Sequence, residues 1–455
     1  MAMMDPLRRR LSGNGLSARA LRGTGAALLS AFSENGLRLV SNLVLTRLLF
    51  PEAFGVMALI QVILLGLTLF SNIGLQASVM QNPRGDDPDF LNTAWTLQAI
   101  RGVLLWLTVC LFAVPAAHFY DEPILAYALP VAGFSLVIKG VFPTKLLTAQ
   151  RHLMLGRVAF LTIVAQVVNL VALSLLAWLT GSVWALVFGL LISPTVSLAL
   201  YTRYMPGMRN HFRLERQSVS EMVNFGKYLF FSTIATYVLN QSDRAVLGAH
   251  IPTDLLGIYA IGYTLATLPW MLAQKVAGMV VFPLYRMRHP SESAENRARI
   301  FRSRRLVVAS ALGLVATMTF LGPWIVSLLY DDRYILAGPI AVLLAACYVP
   351  PIVLIGLMNA ALAQGNSLAL LVVNVATAIC QITILLLGVQ AFGIPGAAIA
   401  IGAAPLLTYP ITVHYMRRHG NWDAVGDAAL FAAGFAISAT AIWLHWDGIA
   451  RLFTQ

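Results

Sequence analysis

"LTRLLFPEAFGVMALIQ", residues 45–61, and "LGAHIPTDLLGIYAIGY", residues 247–263, decide how this chain is organised. Each runs proline, acid, bulky apolar residue, glycine, apolar residue, alanine, so that Gly55 aligns with Gly257, Val56 with Ile258 and Ala58 with Ala260. Two further pairs follow in the same order. "LTAQRHLMLGR" (147–157) answers to "LAQGNSLAL" (362–370), and "GSVWALVFG" (181–189) to "GIPGAAIAIG" (393–402). The offset grows from roughly 202 to roughly 212, which the long basic loop at 284–305 accounts for. The chain therefore reads as two copies of one plan.

Of its 455 residues, 58% are apolar and 11% charged, which no soluble domain matches. A bilayer-crossing helix needs about 20 mainly apolar residues. Candidate runs lie at 24–46, 53–80, 93–116, 124–147, 156–179 and 183–203, then at 222–247, 255–283, 304–329, 337–361, 368–389, 394–416 and 424–446. Long apolar runs without strict alternation predict helices, since lipid leaves only helices or closed barrels. The expected fold is an all-α polytopic membrane protein with two pseudo-symmetric six-helix lobes around a central cavity. Residues 1–23 form a basic lead, 24–203 the first lobe, 204–221 a linker, 222–416 the second lobe, and 424–446 an additional C-terminal helix. Six spans per lobe make the repeats parallel, an arrangement of transporters that rock one half against the other. In the linker, Pro206-Gly207 ends the sixth span, and Ser218 to Glu221 predicts a capping box for the seventh.

A net charge of +12 raises the question of nucleic acid. The charge is scattered over loops rather than gathered on one face with aromatics, which argues against it. Of the 31 basic residues, 21 fall in segments on one side of the predicted membrane, against Arg47, Arg333 and Arg451 on the other. This bias predicts a cytoplasmic N-terminus. Cys110, Cys347 and Cys380 lie in apolar runs with neither disulfide nor metal spacing, and no HExxH, CxxC, GxSxG or Walker pattern is present. No cofactor and no metal site are expected, and the chain reads as a carrier rather than an enzyme.

"LTRLLFPEAFGVMALIQ", "SNIGLQASVMQNP", "LNTAWTLQAIRG", "LTAQRHLMLGR" and "GIPGAAIAIG" together resemble the polysaccharide-transporter branch of the multidrug/oligosaccharidyl-lipid/polysaccharide exporter superfamily. The resemblance runs over residues 20–418, while a thirteenth run departs from a tidy twelve or fourteen. It implies a flippase that moves an undecaprenyl-diphosphate-linked oligosaccharide across the bacterial inner membrane. It also implies polysaccharide polymerases and glycosyltransferases of one pathway as partners.

Such a substrate joins an anionic head to an apolar tail, so intramembrane charges are the first candidates. Glu34, Arg38 and Ser41 share an arc of the first span. Two readings stand: an ion pair fixing helix packing, or Arg38 meeting phosphate while Glu34 orients it or holds a coupling cation. The seventh span carries Asn240, Asp243 and Arg244, with snorkelling to water the alternative for the last two. Arg101, Lys139 and Lys275 are further cation candidates, and Asn72 with Gln76 are candidate hydroxyl partners or inter-helix glue. Seven cations against two acids suit a diphosphate better than a cationic drug. A cation-coupled exporter of the same superfamily is the second reading. A membrane glycosyltransferase or polymerase is the third, and the short loop at 330–337, which holds Asp331 and Asp332, leaves no room for its catalytic domain.

Overall fold

The computed structural model describes residues 33, 35–71, 74–152, 154–287, 292–358, 361, 363, 367–418 and 421–453. Among these the chain is helical and has no strand. Eight helices are long and apolar enough to cross a membrane, or ten if two bent pairs each count as one span. The shortfall from thirteen has local causes. Only 35–48 of the first span forms a continuous described helix (α1). The seventh carries polar residues such as Thr233, Thr236, Asn240 and Gln241, and the tenth is cut by Pro350, Pro351 and a turn at 354–358.

In the first half the helices are α2 (Pro51–Phe70), α3 (Leu75–Gln81), α4 (Pro88–Phe119), α5 (Leu125–Gly140), α6 (Lys145–Arg151), α7 (Leu155–Thr180) and α8 (Val183–Tyr204). The second half has α9 (Arg216–Leu247), α10 (Thr253–Ala266), α11 (Leu268–Met287), α12 (Ala294–Leu329), α13 (Ala337–Cys347), α14 (Val349–Val353), α15 (Ser367–Phe392), α16 (Ile394–Leu407), α17 (Tyr409–Arg418), α18 (Ala424–Leu444) and α19 (Trp446–Ala450). Pro51 begins α2, where its missing N–H costs nothing in a first turn. Gly181 and Gly393, which precede the last span of each half, both adopt positive φ, 56° and 59°. A side chain there would strain the turn that starts α8 and α16.

The chain divides into two compact units, Met1–Ala53 with Ile63–Phe230, and Phe54–Val62 with Phe231–Gln455. In the first, α5 and α6 are bent 60° apart around Pro143. Carbonyls at that break find side-chain donors: Gln98 Nε2 donates to Lys139 O at 2.9 Å, and Trp95 Nε1 to Val141 O at 3.3 Å. Lipid would leave such groups unpaired at a cost of several kcal/mol each, so α4 holds the bend in place.

The stretch at 205–215 is laid against α4 by hydrogen bonds. Asn92 Oδ1 accepts from His211 N at 3.1 Å, Thr96 Oγ1 from Arg213 N at 3.0 Å, and Thr93 Oγ1 from Glu215 N at 3.1 Å. Arg84 ties the same stretch to the α3–α4 loop through Asp87 (2.6 Å) and Glu215 (2.9 Å). The expected capping box does not form. Glu215 occupies the position before α9, and the Ser218 hydroxyl donates to its carboxylate, while Glu221 accepts from Asn82. The bond from Ser218, then that from Arg84, holds the Glu215 carboxyl below its ordinary range, and Arg84 does the same for Asp87. Depressed carboxylates stabilise the fold above their unfolded pKa and lose that contribution as pH falls through the folded one. Hydrogen exchange at 208–215, corrected for its intrinsic rate, is therefore expected to stay flat from neutral pH downward and to rise only below about pH 4. A rise near pH 6 would contradict the assignment.

The second unit bends by 40° between α10 and α11, just before Pro269. Its tenth span breaks near Gly356, and Arg304 fills the break, only 1% exposed. The guanidinium donates to Val353 O (2.6 Å), Ile355 O (3.1 Å) and Asp427 Oδ1 (2.6 Å). Asp427 also accepts from Tyr409 at 2.8 Å, and Tyr409 from Trp422 Nε1 at 3.1 Å. Arg304, placed by its sequence neighbours in the basic loop, is thus a core residue, because α12 already begins at Ala294. The additional C-terminal helix, α18, is an integral part of this unit.

Candidate functional site

A polar cavity of about 310 Å³ lies within the first unit. Asn35, Arg38, Ser41 and Asn42 line it from α1, Gln166 and Asn169 from α7, and Ser193 from α8. The spacing 35, 38, 42 puts these side chains on one face of α1, and 166 and 169 are one turn apart on α7. Ser193 precedes Pro194, which removes the N–H that would otherwise bond the carbonyl of Leu190. A polar wall thus runs through helices that are otherwise apolar.

Gln166 Oε1 and Asn169 Oδ1 are buried and have no hydrogen-bond partner among the described residues. Desolvating an amide without a partner costs about 1–3 kcal/mol, so two together in one cavity mark a place built to meet another molecule. The wall offers acceptors and donors of the amide and hydroxyl kind plus one guanidinium. That combination matches a ligand with both hydroxyls and anionic oxygens.

Of the residues singled out in the sequence, Arg38 and Ser41 are in this cavity; Glu34 and Asn72 lie outside the described residues. Arg101 is occupied elsewhere. Its Nη2 donates to Thr68 O at 2.6 Å and its Nε to Ser71 Oγ at 3.0 Å, which places a cation at the negative end of α2. Gln76 Nε2 bonds Gln150 Oε1 at 3.0 Å and joins α3 to α6. Lys139 is exposed near the end of α5.

A second polar cluster belongs to the other unit. Asp243, 2% exposed, accepts from Tyr259 at 2.6 Å. Arg244 lies 4.0 Å over the Tyr263 ring, bonds Gln241 at 3.4 Å and has a buried Nε with no hydrogen-bond partner among the described residues. Tyr348 donates to the Tyr263 hydroxyl at 3.0 Å. Snorkelling is therefore ruled out for Asp243, because the aromatic residues of α10 and the α13–α14 junction close over it. Asn240 bonds within α9, to Thr236 O at 2.7 Å, and Lys275 is half-buried on α11.

Gln166, Asn169, Asn35, Asn42 and Ser193 escaped sequence reading. Their signal was the pair of amides one turn apart within the run 156–179. Asp331 is a local cap whose Oδ1 accepts from Arg333 N and Nε at 3.1 and 3.0 Å.

Residues 44–338 match the family described as polysaccharide biosynthesis protein. The succinoglycan biosynthesis transport protein ExoT of Rhizobium meliloti (strain 1021) is 26% identical over 71% of this chain and 65% of its own length. The teichuronic acid biosynthesis protein TuaB of Bacillus subtilis (strain 168) is 18% identical over 61% of this chain and 58% of its own. The chain thus spans about three fifths of the curated relatives it matches. Among solved structures, the lipid II flippase MurJ superposes with a TM-score of 0.71 over 94% of this chain and 99% of that one, at 9% identity. A multidrug resistance MATE family transporter of the MOP superfamily gives 0.60 over 87% and 95%, at 14% identity. These likenesses establish the fold, that of a multi-pass, all-helical membrane protein. With almost two thirds of its length matched, the chain belongs to the polysaccharide biosynthesis protein family.

Proposed function

We propose that the protein is a flippase for an undecaprenyl-diphosphate-linked oligosaccharide in the bacterial inner membrane, working by alternating access with its N-terminus in the cytoplasm. The observation that carries this reading is the cavity in the first unit, where a guanidinium shares a wall with two unpartnered amide oxygens. Arg38 meets the diphosphate, and the amides of Gln166 and Asn169 meet sugar hydroxyls or acetamido groups. Lys139, in the same unit, is the second headgroup cation. The similarity to ExoT, a succinoglycan biosynthesis transport protein, supports this reading. Glycosyltransferases that build the repeat unit and a polymerase that consumes it are the partners, and nothing covalent is asked of this chain.

Charge reversal, Arg38→Glu, is expected to lower surface polysaccharide on the order of 100-fold, as the loss of a bidentate charge-assisted contact would, with normal protein in the membrane fraction. Undiminished polysaccharide in that variant would remove Arg38 from the site. A cation-coupled small-molecule exporter remains the second reading, favoured by the buried carboxylate of Asp243. The same carboxylate is the coupling-ion candidate in a flippase driven by an ion gradient. Genomic neighbours distinguish the two readings, since glycosyltransferase and polymerase genes accompany only the first.

A further inference from the structure

We propose that a groove between α12 and α18 in the second unit is a binding site for an anionic phospholipid of the surrounding membrane, distinct from the substrate. The groove has a volume of about 630 Å³. On α12 it is lined by Phe301, Arg302, Arg305 and Leu306, and on α18 by Val425 and Ala429, spacings that put each set on one helix face.

The two ends of the groove differ in chemistry. Arg305 and Ala309 are four residues apart, so the pair Arg302 and Arg305 stands about 6 Å along the axis from the groove's apolar end at Ala309, with Leu306 between. The groove's apolar wall is open: Leu306 is 61% exposed and Val425 79%. In a bilayer such surfaces face acyl chains. Whatever fills the groove must therefore carry a negative head and an apolar body in that order.

The head site is built rather than incidental. Asp423 grips Arg305 through Nε (2.6 Å) and Nη2 (2.5 Å), so the side chain is fixed in place while its remaining amino group has no partner among the described residues. The absence of a Cβ at Gly426 permits this, since one would stand 2.4 Å from Arg305 Nε. Arg302, one turn away and exposed, has no ion-pair partner among the described residues. By contrast, Arg299, outside the groove, is paired with Glu295. Asp423 neutralises one of the two groove cations, so the site carries a net charge of about +1, enough to hold a phosphodiester and to discriminate against a zwitterion. Basic pockets between spanning helices on the cytoplasmic side recognise anionic headgroups in this way.

The test uses the full chain in detergent, titrated with phosphatidylglycerol or phosphatidylcholine and read by native mass spectrometry. Phosphatidylglycerol is expected to bind more tightly than phosphatidylcholine. Arg302→Ala is expected to lower phosphatidylglycerol affinity about fivefold, the worth of one cation near an anionic leaflet, with Arg302→Lys restoring most of it. Val425→Trp, which fills the groove from an exposed position, is expected to remove the preference without lowering the melting temperature, and Arg299→Ala to leave it intact. Equal affinity for the two lipids, or equal effects of Arg302→Ala and Arg299→Ala, would overturn the proposal. So would displacement of phosphatidylglycerol by equimolar undecaprenyl phosphate, which would assign the groove to the carrier lipid.

Discussion

Asp427→Ala is expected to cost the second unit about 3–5 kcal/mol, because it strands a buried guanidinium. Arg304 and Asp427 are 1% and 2% exposed, and their atoms approach to 2.6 Å. Removing the acid leaves Arg304 bonded only to the carbonyls of Val353 and Ile355, with its charge uncompensated. Exposed ion pairs contribute about 0–1 kcal/mol, so the size of the effect separates the buried pair from the nearby Arg305–Asp423 pair, whose arginine is half exposed. The double variant Arg304→Met/Asp427→Leu tests the account further. It removes both charges, which alone would be near neutral, yet it leaves the carbonyls at the break in the tenth span without a donor at about 1–3 kcal/mol each. It is therefore expected to recover part of the loss and no more. Thermal unfolding in detergent of the wild type, Asp427→Ala and the double variant measures that recovery. Full recovery would show that the carbonyl bonds stabilise little, and an unchanged melting curve for Asp427→Ala would show that the pair is hydrated.

The helices were legible because hydropathy reports burial directly, and the two halves were legible because glycine and proline punctuate them at matching places. The breaks were harder to see. Pro143 and Pro350-Pro351 stand in the sequence, but the residues around them stay apolar, so the runs at 124–147 and 337–361 read as single spans. What holds each break is a side chain from another helix, Gln98 or Arg304, and no local pattern announces such a partner. Arg304 illustrates the point most clearly, since Asp427 is 123 positions away. Charge at a helix end looks solvated until the element packed against it is known. The cavity shows the same asymmetry. Arg38 was found because a charge in an apolar run is conspicuous, whereas Gln166 and Asn169 were passed over because neutral amides disturb hydropathy little. Their meaning comes from the approach of α1 and α8, which is tertiary.

Gly55→Ala sets two effects of opposite sign against each other, and the clash is expected to win. In a helix interior, alanine is favoured over glycine by about 0.8–1 kcal/mol. At Gly55, however, a Cβ would stand 1.8 Å from the carbonyl oxygen of Thr253 and 2.7 Å from its methyl carbon. Neither can retreat cheaply. Thr253 opens α10, and the neighbouring part of α2 is fixed by Phe54 edge-on to Tyr334 at 5.8 Å and by Tyr237 donating to Val62 O at 3.0 Å. Over-packing of this kind costs about 1–3 kcal/mol and more where backbone must move, so a net loss of at least about 2 kcal/mol is expected. Gly313→Ala supplies the control, because nothing lies within 4 Å of its added methyl, and it is expected to be neutral or stabilising. A Gly55→Ala protein that melts at or above the wild-type temperature would refute the close approach. The close approach is between Gly55 and Thr253, both in the second unit, and Gly55 is glycine because the start of α10 leaves no room for a side chain.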